Sequence, residues 1–79
     1  MRRQPRLTLV LSFHTTAAAM ETEQVCVAEG IPGRLFPAPR QLTADCGIAW
    51  ASAPANRPRL EALAAAGRIE PAGFDELAL

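Results

Sequence analysis

The side chains of this chain best equipped for covalent chemistry are two cysteines, Cys26 and Cys46, and its one histidine, His14. Cys46 is followed by Gly47 and stands six residues after Arg40, between Pro37-Ala38-Pro39 and the apolar run Ile48-Ala49-Trp50-Ala51. That context is a turn leading into a strand, where a thiol is within reach of a second molecule. To act as a nucleophile or group carrier, such a thiol needs help in forming the thiolate: a helix N-terminus with unpaired backbone N–H groups, or a guanidinium. Arg40 is the candidate guanidinium, and His14-Thr15-Thr16 supplies the polar start of a helix. Gly47 leaves the sulfur uncrowded on one side and admits a backbone or substrate. Asp45 works the other way, since a carboxylate facing the sulfur opposes the thiolate.

His14 is a candidate general base or hydrogen-bond partner; its plainer reading is a strand-end residue facing solvent. No Cys-His-Asp or Cys-His-Asn set can be assigned, so the signal is one thiol rather than a triad, and a self-sufficient turnover enzyme is the least favoured class. Two cysteines and one histidine, with no closely spaced pair, make a poor zinc site, and no metal or cofactor is expected. Cys26 falls in a helical pattern, on a stripe with Ala19, Thr22 and Glu23 and flanked by Met20 and Val27, and reads as a small packed hydrophobe. The two cysteines lie in unlike contexts, so free thiols in a reducing cytoplasm are expected rather than a disulfide.

The elements that must position Cys46 follow from the punctuation of the chain. Residues 7–13 are apolar or β-branched and suit a central strand. Residues 17–29 are rich in helix formers and close at Gly30 and Pro32. Arg34-Leu35-Phe36 makes a short strand that ends at two prolines, and residues 48–51 make another. Asn56 caps a second helix with Pro58 in its first turn, Leu60, Leu63 and Ala64 on its inner face, and Gly67 after its end. Arg68-Ile69-Glu70 begins a last strand that Pro71 and Gly73 interrupt, with Phe74 and Leu77 folding back onto the core. The order β-α-β-β-α-β predicts an α+β fold: the ferredoxin-like split βαβ, a four-stranded antiparallel sheet with two helices on one face. In that topology the third strand starts where the first two finish. Cys46, the first helix N-terminus with His14, Thr15 and Thr16, and the exit from the second strand at residues 37–40 should then meet at one end.

Seventy-nine residues allow one domain, with a core expected over about residues 7–70 and ends at 1–5 and 72–79 outside it. Nearly half of the residues are apolar and the formal net charge is zero, which places the chain among globular proteins. All eight basic residues are arginines and they form neither a run nor an aromatic-interleaved patch, so no nucleic-acid partner is expected. Arg2-Arg3, the apolar residues 7–13 and Ala17-Ala18-Ala19 imitate a secretory signal, but cleavage there would discard the best strand, so export is not expected. Nothing approaches the ~20 apolar residues of a membrane span.

Phe13 with the turn after it, residues 19–23, Gly30-Ile31-Pro32, and above all Pro37-Ala38-Pro39-Arg40 followed by Cys46-Gly47-Ile48-Ala49 resemble the selenium/sulfur carrier protein-like domain family. The resemblance covers roughly residues 9–69. It implies a small bacterial α/β sandwich whose cysteine carries sulfur or selenium, and it places the family's cysteine, following glycine and arginine on Cys46, Gly47 and Arg40. Cys26 stands where the family tends to have an apolar residue such as leucine. The arginine-rich start and the broken last strand depart from the family pattern.

Three readings follow. In the first, Cys46 accepts sulfane sulfur or selenium from a donor protein and hands it to an acceptor. In the second, the chain is a binding or thiol redox-sensing module with a small-anion pocket near Arg40 and the first helix N-terminus. In the third it is an interaction domain that forms a homodimer through a strand edge, with Cys46 inert.

Overall fold

A computed structural model describes residues 6–40, 42 and 46–79. The chain runs β1 (Leu7–Ser12), α1 (Thr16–Glu29), β2 (Arg34–Pro37), β3 (Ile48–Ser52), a 3-10 turn (Pro54–Asn56), α2 (Arg57–Ala65) and β4 (Gly73–Ala78). The strands form one sheet in the order β2-β3-β1-β4, antiparallel at every pairing. This is the α+β split βαβ expected from the element order.

Alternation along the strands sorts the sheet into two faces. Leu9, Leu11, Phe13 and Trp50 point to one side and join Ala19 and Cys26 of α1 and Leu60 of α2 in the buried core, so both helices cover that face. Burying these side chains, the largest of them Trp50 and Phe13, stabilises the fold by roughly 2 kcal/mol each. Ile31 and Ile69, from the segments that follow the helices, close the core.

The helix ends explain their boundaries. The Thr15 hydroxyl accepts the Ala18 N–H at 3.1 Å, capping α1. Gly30, at φ 71°, ends it: the Gly30 N–H donates to Val27 O and the Ile31 N–H to Cys26 O, and Ile31 is thereby turned into the core. Gly67 performs the same service after α2, with the Arg68 N–H donating to Leu63 O.

Four details differ from the sequence reading. The buried stripe of α1 is Ala19, Thr22 and Cys26 with Ala18 and Val25 beside it; Glu23 is exposed, as are Met20 (52%) and Val27 (74%). The helix is turned so that the i, i+3, i+7 line through Ala19 meets the sheet. Asn56 stands at the N-cap position of α2, at the end of the 3-10 turn, but its side chain makes no capping bond; its amide donates instead to the Ser52 hydroxyl at 2.9 Å. Residues 68–70 are not a strand; only Ile69 is needed there, as a core plug. The fourth strand lies beyond Pro71, which has no N–H for a ladder, and β4 pairs with β1 over its whole length, Leu7 opposite Ala78 to Ser12 opposite Gly73.

Candidate functional site

The register defines one end of the sheet. Ser12, the last residue of β1, faces Ala49, and Pro37, the last of β2, faces Ile48, so β3 begins where β1 and β2 finish. Cys46 lies two residues before β3, half-buried, with its side chain against the edge of the core. Its Sγ donates to the Ile48 carbonyl at 3.3 Å. Only the thiol makes that bond, and it holds the sulfur at the strand entrance. Gly47 has φ 75° and is exposed, and a Cβ there would meet no atom within 4 Å. Its glycine is therefore required by the left-handed backbone, and the space beside it is open. The Ala38 N–H donates to Gly47 O at 3.0 Å, tying the exit of β2 to the entrance of β3.

At the same end, β1 leads through His14 and Thr15 into α1. His14, Thr15 and Thr16 are exposed. With the Ala18 N–H held by Thr15, the N–H groups of Thr16 and Ala17 have no intrahelical acceptor, and no acidic residue stands in the first turn. The positive end of the helix is thus left uncompensated by its own side chains. Arg40 is exposed, next to the turn in which the Leu42 N–H donates to Pro39 O. Among the described residues Arg40 forms no hydrogen bond or ion pair with Cys46. Asp45, expected to oppose the thiolate, lies outside the described residues.

The fold therefore brings Cys46, Gly47, the β2 exit and the α1 N-terminus to one end, as the topology requires. Cys26 is elsewhere: fully buried on the inner face of α1, with burial pushing its thiol up from the ordinary 9.0 against a smaller opposite pull from Arg59. Both cysteines are free. Among the described residues no three His, Cys, Asp or Glu side chains are grouped to hold a metal ion, and no helix is long and apolar enough to cross a membrane.

Sequence reasoning missed Gly33, just before β2. A Cβ there would lie 2.5 Å from Trp50 Cζ2 and 2.6 Å from the Ala51 carbonyl oxygen. Gly33 is what lets the β2–β3 pair close over the indole, and nothing in its local sequence announces a ring from seventeen residues away.

Residues 8–76 match the protein family described as putative Se/S carrier protein-like. Neither a curated protein nor a solved structure matches the chain.

Proposed function

The chain belongs to the selenium/sulfur carrier protein-like family, and from that premise we propose that it is a carrier whose working group is the Cys46 thiol. The thiolate attacks the outer sulfur of a donor protein's persulfide. A sulfur–sulfur bond forms at Cys46 as the donor's breaks, and the donor cysteine leaves as thiolate and takes up a proton. Delivery repeats the exchange with an acceptor's thiolate as nucleophile and Cys46 as leaving group, so no external oxidant is consumed. With selenium in the outer position the bookkeeping is the same.

The observation that supports this reading is the place of Cys46: half-buried at the strand entrance, beside an open glycine, at the end of the sheet that carries an uncompensated helix N-terminus. Gly47 leaves room for the partner, and the free N–H groups of Thr16 and Ala17, with Arg40 at the rim, offer positive partial charge to an anionic terminal sulfur. His14 and Thr15 border the approach. The partners are a donor and an acceptor protein, and the location is the cytoplasm, where two unpaired thiols stay reduced. The test is incubation with a cysteine desulfurase and cysteine followed by peptide mass spectrometry. The expected result is one sulfur added to Cys46, none to Cys26, reversed by reductant and abolished in Cys46→Ser. No adduct under conditions that load a known carrier overturns it.

A second reading, an anion-binding or thiol redox-sensing module, is favoured by the exposed Arg40 and the bare first turn of α1. Under it Arg40→Ala weakens binding of a small anion while Cys46→Ser leaves it intact. A carrier shows the reverse order of damage.

A further inference from the structure

At the end of the sheet opposite Cys46, the starts of β1 and β2 and the end of β3 enclose a groove of about 570 Å³. Arg6 and Thr8 line it from the β1 side, Arg34 from β2, and Ala51, Ala53 and Pro54 from β3 and the residues after it. Arg6, Arg34 and Ala53 are exposed, while Ala51 beneath them is buried, so the rim is open to solvent. Among the described residues no Asp or Glu lines the groove. Elsewhere the arginines are occupied: Arg57 pairs with Glu61 and Glu76, Arg68 pairs with Glu29, and Arg59 donates to the Glu29 carbonyl. Among the described residues Arg6 and Arg34 form no ion pair, and the Arg34 guanidinium lies over the Phe36 ring, 6.0 Å from its centre.

The hydroxyl protons of the groove are already committed. Thr8 Oγ1 donates to Arg6 O at 3.2 Å, and Ser52 Oγ donates to Pro32 O at 2.6 Å while accepting the Asn56 amide at 2.9 Å. The side-chain donors left for a ligand are two guanidiniums, which donate and never accept. The groove therefore selects negatively charged oxygen acceptors, and its alanine and proline lining suits an apolar body between them. We infer that it is a second binding site, separate from Cys46, for a small organic dianion of the dicarboxylate type. One carboxylate sits on each guanidinium fork and an aliphatic chain lies between.

The spacing of the cations argues for a ligand with two charged ends. Arg34 is level with Ala51 and Val10, on β2, and Arg6 stands four residues before Val10 on the β1 side. Two strand spacings across and four residues along separate their Cα atoms by about 17 Å. The Phe36 ring keeps the Arg34 guanidinium at its own end. A single exposed ion pair contributes little in water. Once one carboxylate is seated, however, the other meets its guanidinium as part of the same molecule, at an effective concentration set by the chain between them. A dicarboxylate that spans the groove should therefore bind at least about tenfold tighter than a monocarboxylate of similar chain. The inference does not depend on the carrier reading, whose site lies at the other end of the sheet.

The experiment is an amide-resolved NMR titration of the full chain with succinate, adipate and suberate at matched ionic strength, with hexanoate and inorganic phosphate for comparison. At least one dicarboxylate should bind at least about tenfold tighter than hexanoate or phosphate, moving the amides of residues 6–8, 33–34 and 51–53 and leaving those of residues 46–48 in place. Arg6→Gln and Arg34→Gln, both at exposed positions and checked by the same amide spectrum, should each bring that dicarboxylate down to the level of hexanoate. Wild type that shows no saturable shift up to tens of millimolar overturns the inference. So does phosphate binding as tightly as every dicarboxylate, which makes the groove a site for a single ion. Shifts centred on residues 46–48, or an affinity that survives both substitutions, place the ligand elsewhere and overturn it too.

Discussion

Substitution of Gly33 by alanine tests the fold where packing is tightest. The new methyl would sit 2.5 Å from Trp50 Cζ2 and 2.6 Å from Trp50 Cε2 and the Ala51 carbonyl oxygen, against 3.4 Å for ordinary contact, so something must yield by about 0.9 Å. The indole cannot, being 1% exposed within the core, and the carbonyl belongs to the β2–β3 pair, where Arg34 faces Ala51. Overpacking of this kind costs about 3 kcal/mol. A domain of this size has a total of roughly 4–12 kcal/mol, and each kcal/mol shifts its melting temperature by about 4–8 °C. Gly33→Ala should therefore melt some 12–24 °C below wild type. The chain has a single tryptophan, packed against the substituted position, so Trp50 fluorescence during urea titration reports the perturbed locus itself. Gly47→Ala is the control. It meets no atom within 4 Å and suffers only from its φ of 75°, a cost of about 1–2 kcal/mol. If Gly33→Ala melts within about 2 °C of wild type, or loses no more stability than Gly47→Ala, the packing argument is wrong.

Alkylation of the native protein should modify Cys46 at the half-buried strand entrance and spare Cys26, whose modification waits on unfolding and is slower by roughly a thousandfold; quantitative peptide mass spectrometry reads both at once, and equal rates would contradict the assigned burial. Cys26 also makes stability fall in alkali. Its folded thiol is held above the ordinary 9.0, so at higher pH the unfolded chain releases the proton while the folded one keeps it. The contribution is intact below that value and is lost as pH rises through the folded one. Denaturation of wild type and Cys26→Ala from pH 8 to about 11 should show a steeper decline in wild type, and parallel curves would refute the sign.

Much of this was legible because the controlling interactions are local. Thr15 and Gly30 mark α1 through bonds that reach only three to five residues. Pro37 and Pro71 mark strand limits because a ring nitrogen has no proton to donate wherever it sits. Once the β-α-β-β-α-β order is read, right-handed crossover places the start of β3, and so Cys46, beside the ends of β1 and β2. The rotation of α1 was harder to read, because alanine, methionine and valine occur on all its sides and exposed Val27 is as apolar as half-buried Val25.

By itself, then, the sequence determined the element types and their order, the end of the sheet to which Cys46 belongs, and the free, packed character of Cys26. Tertiary structure alone decided that the last strand begins at Gly73, that Gly33 must be glycine, and that Arg6 and Arg34 line one groove. The physical reason is range. Caps and turns act over a few bonds along the chain, whereas register and close packing depend on which distant residues the sheet brings to within ~5 Å of each other.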